Sequence, residues 1–225
     1  PKFDKRGLPQ YYKSGPRKGE IRTEKIRFFR APNQVDHNAI KAASKALKNK
    51  WTHFDEQGLI PTEKLPVGSK TSEPLRYGVS YWKDLFNERQ LLGHLTAIET
   101  LSQLKPQILA ELGYERGRAV VTYLQFALDK ALDYNSRQTR WEFTRGVVKG
   151  TFGRHDFSLK WTYGEMVFSG PNSGSKWGLL QILGAYKGIQ ELVGSSVDLE
   201  KQTLQIINGS AVHVGQVQDK SIDLV

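Results

Sequence analysis

Residues 117–135, GRAVVTYLQFALDKALDYN, place the strongest constraint on what this chain can fold into. Val120, Tyr123, Leu124, Ala127, Leu128, Ala131 and Tyr134 recur at three- and four-residue spacing. That period makes one broad apolar face on an α-helix and no coherent face on a strand. Such a face must be buried against other elements, so the neighbouring segments decide the architecture. Before it, Asn87 can accept from the amide of Gln90 and open a helix striped by Leu91, Leu95, Ile98 and Leu101; Pro106 is expected to interrupt it and Gly113 to end the segment. Further upstream, Asp36 is expected to cap a helix carrying Ile40, Ala43, Leu47 and Trp51. Downstream, residues 176–193 present Trp177, Leu180, Ile182, Leu183, Ile189 and Leu192 at helical spacing, with internal glycines that weaken the helix or mark close packing.

The remaining segments read differently. Residues 1–32 are rich in Gly, Pro, Lys and Arg, and the apolar residues Ile21, Ile26, Phe28 and Phe29 suit one short strand at most. Pro61, Pro66 and Pro74 mark a loop. Residues 136–175 are aromatic, basic and irregular, and GPNSGS at 170–175 reads as a flexible loop. Strand signals come last, in TLQIING at 203–209 and SIDLV at 221–225. The expected fold class is α/β, with an α-rich body joined to part of a sheet. A strand that has only begun at Val225, and a start at Pro-Lys-Phe, are expected of a segment of a longer protein.

The 225 residues suffice to bury a core, and 5 Trp, 9 Tyr and 10 Phe supply aromatic surface for it. No cysteine is present, which excludes disulfides and thiolate metal sites and makes a cytoplasmic setting the simplest expectation. No apolar run approaches a membrane span, so no membrane partner is expected. The net charge of +10 is unevenly placed: residues 1–50 hold 14 Lys plus Arg against 4 Asp plus Glu, and the rest of the chain balances. A basic arm of this kind commonly neutralises nucleic-acid phosphates; the plain alternative is a solvated tail.

Within 137–163, RQTRWEFTRGVVKGTFGRHDFSLKWTY, cations alternate with rings. Arg137, Arg140, Trp141, Arg145, Lys149, Arg154, His155 and Trp161 are the candidate nucleic-acid-binding residues, because bases stack on rings while phosphates pair with cations. The alternative is a loop layer whose rings pack inward while the Arg side chains lie over them. In RYGVSYWKDLFNERQ at 76–90, packing of Tyr77, Trp82, Leu85 and Phe86 against the helix start is the stronger reading. The five histidines form no metal-ligand set; His94 reads as structural, and His155 alone invites a test. No GxSxG, P-loop or GxGxxG sequence occurs.

Taken together, RYGVSYWKDLFNERQLLGHLTAIETL, GRAVVTYLQFALDKALDYNSRQTRW, GTFGRHDFSLKWTYGEMVFS and NGSAVHVGQVQDKSIDLV resemble, in order and spacing, the large bacterial and archaeal adenine-specific DNA methylases whose N-terminal region is catalogued as a domain of unknown function. The resemblance covers roughly residues 50–225, including LIPTEKLPVG at 59–68. It implies that SIDLV leads into a catalytic Asp-Pro-Pro-Tyr motif, and that a glycine-rich S-adenosylmethionine motif lies upstream. The chain would then be the segment between the two, holding no catalytic residue. It further implies that Asn208, Gly209, Ser210 and Ala211 form the turn after a sheet strand that approaches the cofactor. Ser210 stands where the family frequently has Asp, so a carboxylate contact is not implied there. The zinc ribbon of many members is absent, since there is no Cys.

The resulting expectation is a fragment of an S-adenosylmethionine-dependent DNA adenine-N6 methyltransferase, inactive alone, with DNA and the rest of the parent chain as partners. Residues 1–50 would form a basic arm with a helix, 51–193 an α-rich insertion that recognises DNA, and 194–225 part of a Rossmann-like methyltransferase sheet. The alternatives are a non-catalytic nucleic-acid-binding module and a helical interaction domain that never touches nucleic acid.

Overall fold

A computed structural model describes residues 1–23, 29–153, 157, 162–170 and 173–194. Five α-helices run in chain order: α1 (Gln34–Glu56), α2 (Ser72–Arg76), α3 (Glu88–Leu112), α4 (Tyr114–Asp133) and α5 (Gly174–Gly194). Between α4 and α5 lies a two-stranded antiparallel hairpin of β1 (Arg140–Glu142) and β2 (Val147–Lys149). The described residues are therefore helix-rich with one small sheet, a mixed α/β composition. Both expected C-terminal strands lie outside the described residues, as does the cofactor turn Asn208–Ala211. The chain divides into two compact units, Pro1–Leu179 and Leu180–Val225. The described part of the second is the remainder of α5, on which Leu180, Leu183 and Ile189 are exposed.

The cap of helix α1 lies three residues earlier than the sequence suggested. Asn33, not Asp36, is its cap: the Asn33 carboxamide oxygen accepts from the amides of Val35 and Asp36, while the Asp36 carboxylate accepts from the Asn33 amide. Asp36 is the reciprocal half of a capping box, and Arg30 clamps it with two guanidinium hydrogen bonds. Asn87 caps α3 as expected, accepting from the Gln90 amide at 2.8 Å.

Pro106 does not interrupt α3, which runs on to Leu112. The tertiary reason lies beyond the proline. A Cβ built on Gly117 of α4 would stand 2.9 Å from the Leu109 Cα, so the two backbones touch there. Packing against α4 holds the last turns of α3 in place, while exposed surface at 106 leaves the unpaired carbonyl to water. A single residue, Gly113, then reverses the chain. Its φ of 75° and ψ of 166° lie where a side chain is not tolerated, so it ends α3 and starts α4 at once.

Two buried clusters form the core. Leu47 and Phe54 of α1 meet Ile60, Leu91 and Leu95, and Leu65, Val79 and Leu85 form the second cluster. Phe86 packs against both. The aromatic stretch at 76–90 is thus largely a staple: Trp82 stacks edge-on against Phe157 at 5.8 Å, and the Asp84 carboxylate accepts from the amides of Ser80 and Tyr81.

The basic N-terminal segment is more ordered than a solvated arm. Residues 1–23 fold into a small ribbon whose antiparallel bridges pair Phe3 with Pro9 and Tyr11 with Ile21. Backbone hydrogen bonds from Lys2 to Arg22, Gln10 to Lys2 and Arg22 to Gln10 tie its three extended pieces together.

Candidate nucleic-acid interface

The hairpin is anchored at its base by a polar run, Asn135-Ser136-Arg137-Gln138-Thr139, which follows α4 directly. Asn135, Ser136, Gln138 and Thr139 are buried, so each needs hydrogen-bond partners inside the protein. Asn135 donates to the Ala131 carbonyl, accepts from the Met166 amide, and its own carbonyl meets His94 Nε2 at 2.9 Å. The Ser136 hydroxyl accepts from the Gln138 amide and shares a 2.7 Å hydrogen bond with the Thr151 hydroxyl. Thr151 also bonds the Asp133 carbonyl, and the Asp133 carboxylate accepts from the Phe152 amide. The Thr139 hydroxyl bonds the Gly164 carbonyl. The end of α4 therefore clamps both sides of the hairpin base.

His94 completes this hub. Its ring lies edge-on to Phe86 at 5.2 Å and Phe168 at 5.4 Å. Burial pushes its pKa down, against smaller opposing effects of the Asn135 carbonyl and the Glu165 carboxylate. A neutral ring with the proton on Nε2, donating to Asn135, satisfies the geometry. The structural reading of His94 holds.

The candidate residues divide by what they touch. Arg137 donates from its guanidinium to the Asp84 carbonyl at 3.1 Å, and its amide bonds the Leu85 carbonyl. It joins the hairpin base to the turn before α3 and faces a cleft of about 700 Å³ lined also by Lys48, Trp51 and Lys83. Lys149 is paired with Glu142 at 2.6 Å. The Lys149 ammonium, with the Thr144 hydroxyl, holds the Glu142 carboxyl down to about 2. Among the described residues, no carboxylate pairs with Arg140 or Arg145. Arg145 lies exposed in the loop joining β1 to β2, beside Phe143, which is 82% exposed.

Strand register places Arg140 opposite Lys149 and Trp141 opposite Val148, so Trp141 projects from the other face of the hairpin than the cations. There it meets Phe29 edge-on at 5.6 Å. The structure brings Arg140, Trp141, Arg145 and Lys149 onto one hairpin and turns Arg137 inward. Arg154, His155 and Trp161 lie outside the described residues. Among the described residues no group of His, Asp or Glu could hold a metal ion, and no helix is long and apolar enough to cross a membrane.

Sequence reasoning did not foresee the Asn135–Thr139 hub. Its one signal is a run of amide and hydroxyl side chains directly after a strong helix, with no Gly or Pro to mark a loop. No known protein family, curated protein or solved structure matches this chain.

Proposed function

We propose that this chain is the central segment of an S-adenosylmethionine-dependent DNA adenine-N6 methyltransferase. Its α-rich body would hold DNA, and residues 194–225 would contribute to a Rossmann-like methyltransferase sheet. The observation that carries the DNA-binding part is the hairpin: held at its base by hydrogen bonds, it presents the exposed Arg145 with the exposed rings of Trp141 and Phe143 and, on the face away from Trp141, the half-buried Arg140, neither arginine being paired with a carboxylate among the described residues. Cations without carboxylate partners remain available to phosphates, and exposed rings can hold an extruded or unpaired base. Asn208, Gly209, Ser210 and Ala211 are the proposed cofactor contacts, on the resemblance alone. The chain's own role is to hold and orient DNA; methyl transfer would require the catalytic and cofactor motifs of the parent.

The test is fluorescence anisotropy of a labelled DNA duplex against the 225-residue chain across a salt series. Binding should weaken steeply with salt, and Arg140→Ala with Arg145→Ala should reduce the slope of log K against log salt by about two, roughly one per phosphate-contacting cation. An unchanged slope would remove the hairpin from the interface. Methyl transfer by this chain alone would refute its placement between the two motifs.

A further inference from the structure

The N-terminal ribbon presents a second surface with different chemistry. Bridged partners in an antiparallel pair share a face, and residues two apart on one strand do too. The bridges Phe3 to Pro9 and Tyr11 to Ile21, with Pro9 and Tyr11 two apart, therefore put Phe3, Pro9, Tyr11 and Ile21 on one side of the ribbon. That side is uncovered: Phe3 is 54% exposed, Tyr11 52% and Ile21 42%. Tyr12 belongs to the other side, where its ring lies under the guanidinium of Arg17 at 4.6 Å and near that of Arg22 at 5.9 Å. Arg17 is in turn paired with Glu20 at 2.6 Å, and Asp4 accepts from the Arg6 and Leu8 amides.

Both carboxylates of residues 1–23 are thus engaged within the ribbon, whereas Lys2, Lys5, Lys13 and Lys18 pair with no carboxylate among the described residues. Lys13 and Lys18 lie in the loop that follows Tyr11 and Tyr12. We propose that this face binds single-stranded DNA, with Phe3 and Tyr11 stacking on bases and the lysines pairing with phosphates. The charge of the ribbon favours a polyanion over an apolar protein partner, and two rings on one side of a lysine-rich ribbon are what an unpaired strand requires. A duplex buries its base faces and could not use the rings. The choice of DNA rests on the function proposed above, which supplies a DNA substrate; the stacking surface does not depend on it.

The experiment compares binding of labelled oligo-dT, oligo-rU and duplex DNA to the full chain and to its variants Phe3→Leu/Tyr11→Leu and Lys13→Gln/Lys18→Gln. Leucine keeps the apolar volume and so preserves the ribbon, which circular dichroism would check. Loss of both rings should weaken oligo-dT binding at least about fivefold and leave duplex binding unchanged. Tyr11→Trp should strengthen it. The lysine variant should lower the salt slope for oligo-dT. Oligo-dT binding unaffected by the leucine variant would overturn the inference whatever the duplex result. Preference for oligo-rU over oligo-dT would overturn the choice of DNA. A change in sedimentation coefficient in place of a change in oligo-dT affinity would make the face a contact between copies. Duplex binding that is absent, or indifferent to Arg140 and Arg145, would instead count against the hairpin reading and leave the ribbon result standing.

Discussion

His94 shows how one buried side chain ties distant segments together. Carried on α3, it hydrogen-bonds the carbonyl of Asn135 after α4 and packs against Phe86 and Phe168. Because burial depresses its pKa below the ordinary 6.5, the unfolded chain binds more protons than the folded one as the medium turns acidic. Its contribution to stability is complete above pH 6.5 and is lost as pH falls from there through the folded pKa. Thermal unfolding followed by circular dichroism between pH 8 and 5 should show Tm falling on acidification, and His94→Gln should flatten that decline. Equal pH dependence in both proteins would mean that His94 binds protons equally in the folded and unfolded chain and that burial does not depress its pKa.

The α3–α4 pair depends on two glycines in different ways. Gly113 supplies a backbone conformation, and Gly117 supplies absence of a side chain where α4 crosses the Leu109 backbone. Gly117→Ala would gain about 1 kcal/mol of helix propensity. The added methyl would nevertheless stand 2.9 Å from a backbone atom that cannot swing aside, so the helices must separate. We expect net destabilisation of about 1–3 kcal/mol, read from urea unfolding. A more stable variant would show that the crossing has slack. At the hairpin, the same logic of fixed base and free tip appears: Asp133, Asn135 and Ser136 hold its root, while Phe143 and Arg145 remain exposed.

At the scale of the molecule, Phe86 is the residue shared by the two core clusters, one built on α1 and α3 and the other on the loop after α1. Phe86→Ala should cost about 3 kcal/mol and weaken both clusters together, so that unfolding monitored by far-ultraviolet circular dichroism and by tryptophan fluorescence remains one coincident transition. Two separated transitions would show that the clusters are independent. The +10 charge, confined to the first 50 residues, has an analogous division. Part of it lies on the ordered ribbon and part on α1, which continues across residue 50.

The sequence alone determined most of the helical framework, because amphipathic period and capping are local. The stripe of 117–135, the Asn87 cap, the Gly113 stop and the helix starting near 176 all follow from contacts within a few residues. Tertiary structure decided what local rules leave open. Pro106 stays helical because α4 braces Leu109, and Asn33 replaces Asp36 as cap because Arg30 draws the carboxylate into the reciprocal position. Composition grouped Arg137, Arg140, Arg145 and Lys149 as equivalent cations. The fold separated them, giving Arg137 to the Asp84 carbonyl and Lys149 to Glu142 while leaving Arg140 and Arg145 unpaired among the described residues. A cation's availability depends on which acceptor the folded chain brings within reach, and residue order alone does not specify that.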